Sequence, residues 1–227
     1  GNIVKNIPLN ESGKKILCSD LYGYFFQKVN KDELLKLEGL ESFSLFVLKK
    51  ETSTSIEVLG NGLNLELGDS LQVENSPVNL QITGGYADFL VVGSNLENPA
   101  KNESISHQLQ KEVYKVNKPW GYEKWIADGS PDFKYALKEI LFRANFKSSI
   151  QFHEFKEETN YIQKGKGVLH YSSVPIDIKK FRHGQYSEGE IDEIISNLQK
   201  QEITPGMVFH VKPGIIHRVE AVEDLTL

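Results

Sequence analysis

Ser149-Ile150-Gln151-Phe152-His153-Glu154-Phe155-Lys156-Glu157-Glu158, answered further along by Gly206-Met207-Val208-Phe209-His210-Val211-Lys212-Pro213-Gly214-Ile215-Ile216-His217, decides how this chain is read. In an extended strand, side chains alternate between the two faces, so 151, 153 and 155 share one face. Gln151 and His153 can then aim into a barrel from one strand, with Lys156-Glu157 as a turn and Glu158 at the start of the returning strand. Pro213-Gly214 reads as a turn that closes one strand and presents His217 near the start of the next. Gln151, His153, Glu158 and His217 are therefore the candidate metal ligands. Imidazole, carboxylate and amide oxygen make a mixed nitrogen and oxygen set, and geometry has to choose among Zn²⁺, Fe²⁺, Mn²⁺, Co²⁺ and Ni²⁺. Three or four protein ligands leave positions open for water or substrate.

Around this pair of motifs the chain is β-rich. Further strands are predicted at 135–142, 160–163 and 168–171. Ser187-Glu188-Gly189-Glu190 is a capping-box pattern, and Ile191, Ile194, Ile195 and Leu198 follow at one-face helical spacing, which predicts an amphipathic helix over 188–199 packed on the barrel. The first hundred residues carry short apolar runs at 42–48, 55–59, 63–67, 71–74, 78–83 and 89–92, separated by Gly60-Asn61-Gly62, Gly68-Asp69, Asn75-Ser76-Pro77 and Gly84-Gly85. Evenly spaced strands with turn chemistry between them predict a sandwich or barrel. One short helix is expected there, after Asn30, whose spacing to Glu33 resembles a reciprocal N-cap. Residues 101–113 are polar and aperiodic and read as a linker between domains 1–100 and 114–227.

Composition excludes several classes. The formal charge is −5 with no Lys/Arg-rich block, which disfavours nucleic acid. No apolar run approaches a membrane span, and no signal peptide is visible. Cys18 is the single cysteine, so an intrachain disulfide and a cysteine-built zinc site are both ruled out, and a cytoplasmic location fits. All six histidines follow residue 100, which places any transition-metal site in the second half.

The second half resembles the cupin domain of type II mannose-6-phosphate isomerases, also found at the C-terminus of bifunctional mannose-1-phosphate guanylyltransferases. The likeness opens at Lys118-Pro119-Trp120-Gly121-Tyr122-Glu123. It runs without a gap from Tyr135-Ala136-Leu137-Lys138-Glu139-Ile140 through Gln151, His153 and Glu158 to Gly165, and closes at Pro213-Gly214-Ile215-Ile216-His217-Arg218-Val219-Glu220. Leu67-Gly68-Asp69-Ser70-Leu71-Gln72-Val73 looks like a second cupin motif without its histidine. The resemblance thus implies a mainly β fold of two tandem cupin-like barrels, a bicupin, with a degenerate, metal-free first barrel and a metal-binding second one.

It also implies a metal-dependent enzyme acting on a sugar or sugar phosphate, by aldose–ketose isomerisation. The cofactor is a divalent metal, zinc first, with iron, manganese, cobalt or nickel as alternatives. Lys138 and Arg218 match basic family positions suited to a phosphate or an enediolate oxyanion, and Glu220 and Lys138 are the candidate bases. Trp120 and Tyr122 can line the mouth, and His210 and His170 are further substrate contacts. Self-association into a homodimer stays open. A non-catalytic carbohydrate-binding or regulatory cupin, or another cupin chemistry such as epimerisation or dioxygenation, is the alternative. Three departures stand out. Phe155 occupies the place of the family's second motif histidine, which would leave Gln151 to substitute as in the Gln-x-His of type I isomerases; Phe155 is expected to fill the missing ligand's space. The insertion at 173–200 separates the two motifs and can cover the mouth. The family also continues past the second motif, where this sequence ends at Leu227.

Overall fold

A computed structural model describes residues 4–6, 14–16, 21–37, 42–74, 76–94, 104–109, 112–128 and 135–227. In chain order its strands begin with β1 (Val4–Asn6), β2 (Lys14–Ile16), β3 (Leu21–Val29), β4 (Leu34–Leu37), β5 (Ser42–Lys50), β6 (Ser55–Val58), β7 (Leu63–Asn64), β8 (Ser70–Glu74), β9 (Val78–Thr83), β10 (Ala87–Ser94) and β11 (Ser104–Gln108). They continue with β12 (Tyr114–Lys118), β13 (Gly121–Asp128), β14 (Ala136–Phe142), β15 (Glu158–Tyr161) and β16 (Gly167–Tyr171). Two helices, α1 (Ile178–Arg182) and α2 (Glu188–Ser196), precede β17 (Gln199–Ile203), β18 (Met207–Val211), β19 (His217–Ala221) and β20 (Leu225–Thr226). The protein is mainly β, as predicted. No helix among the described residues is long and apolar enough to cross a membrane. Cys18 lies outside the described residues.

The chain divides into two compact units. One comprises Pro8–Val116 and Lys124–Glu139. It holds a six-stranded sheet in the order β11-β8-β5-β10-β3-β2 and a four-stranded sheet β4-β9-β6-β7. Phe43, Leu45 and Val47 alternate along β5 into a core with Leu71, Val73 and Phe89, all fully buried. Residues 104–108, expected to be linker, pair in register with β8 (Ile105↔Val73, His107↔Leu71). The helix expected after Asn30 does not form. The backbone N–H of Asn30 does donate to Glu33 Oε2 at 2.9 Å, but Asp32 turns to φ 63° and 34–37 continues as β4. Leu35 and Leu37 alternate onto the core, and pairing with β9 outweighs the local capping signal. The degenerate motif carries Asp69, which is buried and held by Glu66 N–H at 3.0 Å and by His107 Nε2 at 3.1 Å.

The other unit comprises Gly1–Ile7, Asn117–Glu123 and Ile140–Leu227. Its sheets are β1-β18-β15 and β17-β16-β19, and β14 pairs with β20 through Phe142↔Leu225. The N-terminal strand β1, which the sequence did not reveal, is thus part of this unit, with Val4 opposite Phe209. Phe142, Ile162, Leu169, Phe209, Val211 and Val219 belong to one core. The inserted α2 forms as predicted, with Ser187 and Glu190 making the full reciprocal capping box. Its apolar stripe is only half-buried. The five-residue α1 and the strand β17 were not foreseen.

Candidate metal centre

The predicted strand over 149–153 is an irregular segment. It runs beside β19 with two isolated bridges, Lys147↔Glu220 and Gln151↔His217. A regular antiparallel ladder advances equally on both sides, but between these bridges one side advances four residues and the other three. The register therefore slips by one residue between the bridges, a bulge that prevents a continuous strand. Gln151 and His217 exchange both backbone bonds, at 3.1 and 2.8 Å, and Gly214 N–H donates to His153 O at 2.8 Å.

Glu158 opens β15, opposite Val211 of β18. The turn between β18 and β19 closes with Ile215 N–H on Lys212 O at 3.2 Å, and Gly214 has φ 81°. Proline followed by a left-handed glycine is the pattern of a type II turn. It delivers His217 to β19, where His217, Val219 and Ala221 are buried and alternate with Arg218 and Glu220. Two strand starts and one loop thus bring their side chains together. One ligand atom from each of His153, Glu158 and His217 lies within 4.8 Å of the others, the one such grouping among the described residues.

His153 Nε2 lies 3.1 Å from Glu158 Oε1, and His217 Nε2 lies 3.4 Å from Glu158 Oε2. The two imidazole rings are 5.3 Å apart and inclined at 58°. His217 Nδ1–H donates to Ile215 O at 3.0 Å, so Nε2 is the nitrogen that faces the cluster: without a metal it can carry a proton toward Glu158, and on giving that proton up it offers the lone pair that a metal ligand needs. The amide Nε2 of Gln151 lies 3.4 Å from that same nitrogen. The two ends of a glutamine amide are equal in shape, and exchanging them offers Oε1 instead. His153 Nε2 is buried and lies 3.1 Å from Glu158 Oε1 without making a well-angled hydrogen bond. A buried imidazole nitrogen so poorly satisfied is costly, and a cation between it, Glu158 and His217 satisfies it. The residues present therefore fit a divalent metal ion.

Electrostatics agree. Burial opposes ionisation of Glu158, but hydrogen bonding to His217 and to the Lys156 ammonium outweighs it and holds the carboxyl at about 2. Burial is the main cause that lowers His153 below its ordinary value; Glu158 opposes it, while Lys156 and His217 add to it. A neutral imidazole beside a carboxylate is the protonation state of a ligand set.

Several predicted site residues are not brought to this cluster. Arg218 and Glu220 sit on the face of β19 opposite His217. The Arg218 guanidinium donates to Ser148 O at 2.8 and 3.2 Å. Glu220 accepts from Lys147 at 3.0 Å and lies 2.8 Å from His170 Nε2. His170, opposite Arg218 in the ladder, shares that outer face. His210 lies on the face of β18 opposite Phe209 and Val211, bonded through Nδ1 to Thr159 Oγ1 at 2.8 Å and 3.3 Å from Glu157. Strand alternation, one residue out of step, separates all four from the ligands. Lys138 belongs to the other unit, its ammonium 3.5 Å above the Trp125 ring. Trp120 stacks on Phe142 at 4.4 Å as part of the core. Tyr122 is half-buried on β13.

Phe155 does not fill the missing ligand's space. It is 80% exposed, because past the bulge the segment does not keep strand alternation, and the Arg182 guanidinium lies 5.0 Å over its ring. The sequence reading missed Lys156 as a charged contact of Glu158, having spent it on a turn. It also missed the contacts of α1 with residues 152–155, for which a five-residue helix gives no periodicity.

Neither a protein-family model nor a curated protein sequence matches this chain. Solved structures do. The oxalate decarboxylase of Lactobacillus farciminis, in a formate complex, superposes with a TM-score of 0.67 at 12% identity, over 100% of this chain and 84% of that one. An IolB-like protein from Salmonella typhimurium LT2 gives 0.64 at 14%, over 100% and 90%. The oxalate decarboxylase of Bacillus subtilis, which has Mn(II) centres, gives 0.61 at 13%, over 99% and 75%. At such identities the likeness is one of fold, and the fold is the cupin fold.

Proposed function

We propose that this chain is a metal-dependent cupin enzyme that acts on a sugar or sugar phosphate by aldose–ketose isomerisation, with zinc the first candidate metal. The observation that carries it is the convergence of His153, Glu158 and His217, with His153 Nε2 buried and in no well-angled hydrogen bond despite lying 3.1 Å from Glu158 Oε1. These three residues would hold the ion, with Gln151 as the fourth position beside His217. A divalent ion bound there polarises a carbonyl and the neighbouring hydroxyl. Ile215 O orients His217, and the Gly214–His153 backbone bond fixes the loop that presents His153. Lys156, half-exposed on Glu158, puts a positive charge beside the ligands, which suits an anionic sugar phosphate. The motif resemblance of 118–165 and 213–220 supports isomerisation over other cupin chemistries.

A second reading, a sugar-binding cupin without turnover, is favoured by one observation: Arg218 and Glu220, expected to do the proton and oxyanion chemistry, lie on the far face of β19. Exchange of solvent deuterium into C2 of mannose 6-phosphate, or C1 of fructose 6-phosphate, by the metal-loaded protein separates the two. Exchange that needs metal and disappears in His217→Ala is expected. Saturable binding without exchange moves the assignment to the binding reading, and neither binding nor exchange overturns both.

A further inference from the structure

The inserted segment grips the loop that carries His153. Phe181 meets Phe152 edge-on, with ring centroids 4.8 Å apart. Arg182 donates to Glu154 Oε2 from Nε at 2.8 Å and also from a terminal guanidinium nitrogen. The same guanidinium covers the exposed Phe155 ring. The last two residues of α1 therefore hold positions 152, 154 and 155, on both sides of a metal ligand. Elsewhere this loop has little regular support: beyond the Gln151 bridge, the backbone bond from Gly214 to His153 O is what the β framework contributes. Ligands on loops need such support to stay within the narrow geometry that a metal requires.

We infer that Arg182 is a positioning residue of the metal centre, clasping Glu154 and Phe155 so that the inserted helix α1 holds His153 in line with Glu158 and His217. This rests on the metal reading of the site. An exposed ion pair contributes little by itself. Here one planar group makes a forked contact with a carboxylate and a cation–π contact with a ring, which a flexible ammonium cannot reproduce. It also accounts for Phe155, which serves as a platform for a guanidinium instead of a plug in the barrel. Elsewhere α1 is tied to α2 by Lys180 and Glu190 at 2.7 Å, a contact remote in sequence from the ligand loop that serves as a control.

The test uses the full chain loaded with Co²⁺, following both the d–d absorption and the rate of metal loss to excess chelator. Arg182→Ala is expected to lose cobalt roughly tenfold faster, the lower end of what supporting residues around a ligand contribute, and to shift the d–d bands as His153 loosens. Arg182→Lys should fall between, and the exchanged pair Glu154→Arg with Arg182→Glu should recover part of the wild-type rate, since it restores the ion pair but not the contact of residue 182 with the Phe155 ring. Wild-type release should quicken with added salt, as an exposed pair is screened, whereas release from Arg182→Ala should not. Lys180→Ala should leave rate and spectrum as they are. A wild-type protein that takes up no cobalt overturns the metal reading itself. Cobalt uptake with an unchanged rate and spectrum in Arg182→Ala overturns the clasp, as does equal acceleration in Lys180→Ala.

Discussion

Replacing Gly214 with alanine should damage the fold and the metal centre together. Gly214 has φ 81°, and a Cβ there would lie 2.9 Å from Pro175 Cβ and 3.0 Å from Ile176 O. Its N–H donates to His153 O at 2.8 Å, and its carbonyl accepts from Ile176 N–H at 2.9 Å. One residue thus joins the His153 loop, the start of the insertion and the turn before His217. The left-handed conformation costs an L-residue roughly 1–2 kcal/mol. Making room against Pro175 and the Ile176 carbonyl adds about 1–3 kcal/mol, and the stiffer unfolded chain returns about 0.4–1 kcal/mol. The net loss is about 3 kcal/mol, a large share of a domain's stability. Urea unfolding of metal-free protein measures it. Trp120 lies in the unit of the metal centre and Trp125 in the other, so a Trp125→Phe background lets fluorescence report the affected unit. A Gly214→Ala protein within about 0.5 kcal/mol of its parent, the range of an ordinary surface change, would refute the reasoning about this turn.

Two further outcomes concern the site itself. Glu158, held at about 2, and His153, held below its ordinary value, are both lowered by folding. A lowered group adds stability above its unfolded pKa and loses it as pH falls through the folded one. The stability advantage of metal-free wild type over Glu158→Gln should be fullest above about 4.5 and shrink toward pH 2 in denaturation series; an advantage that grows on acidification contradicts this. Phe155→His restores the family's second histidine in sequence but at an exposed position under Arg182. Titration calorimetry should find its metal affinity no tighter than wild type, because an imidazole at that exposed position does not reach the ion, and a much tighter site would mean that residue 155 turns inward.

The convergence of His153, Glu158 and His217 was legible because their chemistry is unusual and their positions survive small errors of local structure. His217 follows a Pro-Gly turn, which fixes where β19 begins, and Glu158 opens the strand after a charged turn. Arg218, Glu220, His170 and His210 lie one step of alternation away from the face that His217 and Glu158 take. A linear pattern marks that they are near the site, but only the register shows which face they take. Phe155 was misread for a related reason: the alternation argument assumed a continuous strand through 155, and the one-residue slip between the bridges at 147 and 151 breaks it. The Asn30–Glu33 capping contact was read correctly as an interaction and wrongly as a helix, since pairing with β9 sets the conformation of residues 34–37. The capping box of α2 was legible down to its reciprocal bonds because it is wholly local. That the first few residues pair with β18 has no local signature.

Metal content is the most direct test of the central claim. Untagged protein, saturated in turn with zinc, iron(II), manganese, cobalt and nickel and then desalted, is analysed by inductively coupled plasma mass spectrometry beside His153→Ala and His217→Ala. The account expects one equivalent of a divalent metal per wild-type chain and its loss in both variants. A wild-type chain that retains none, or variants that keep a full equivalent, would contradict it.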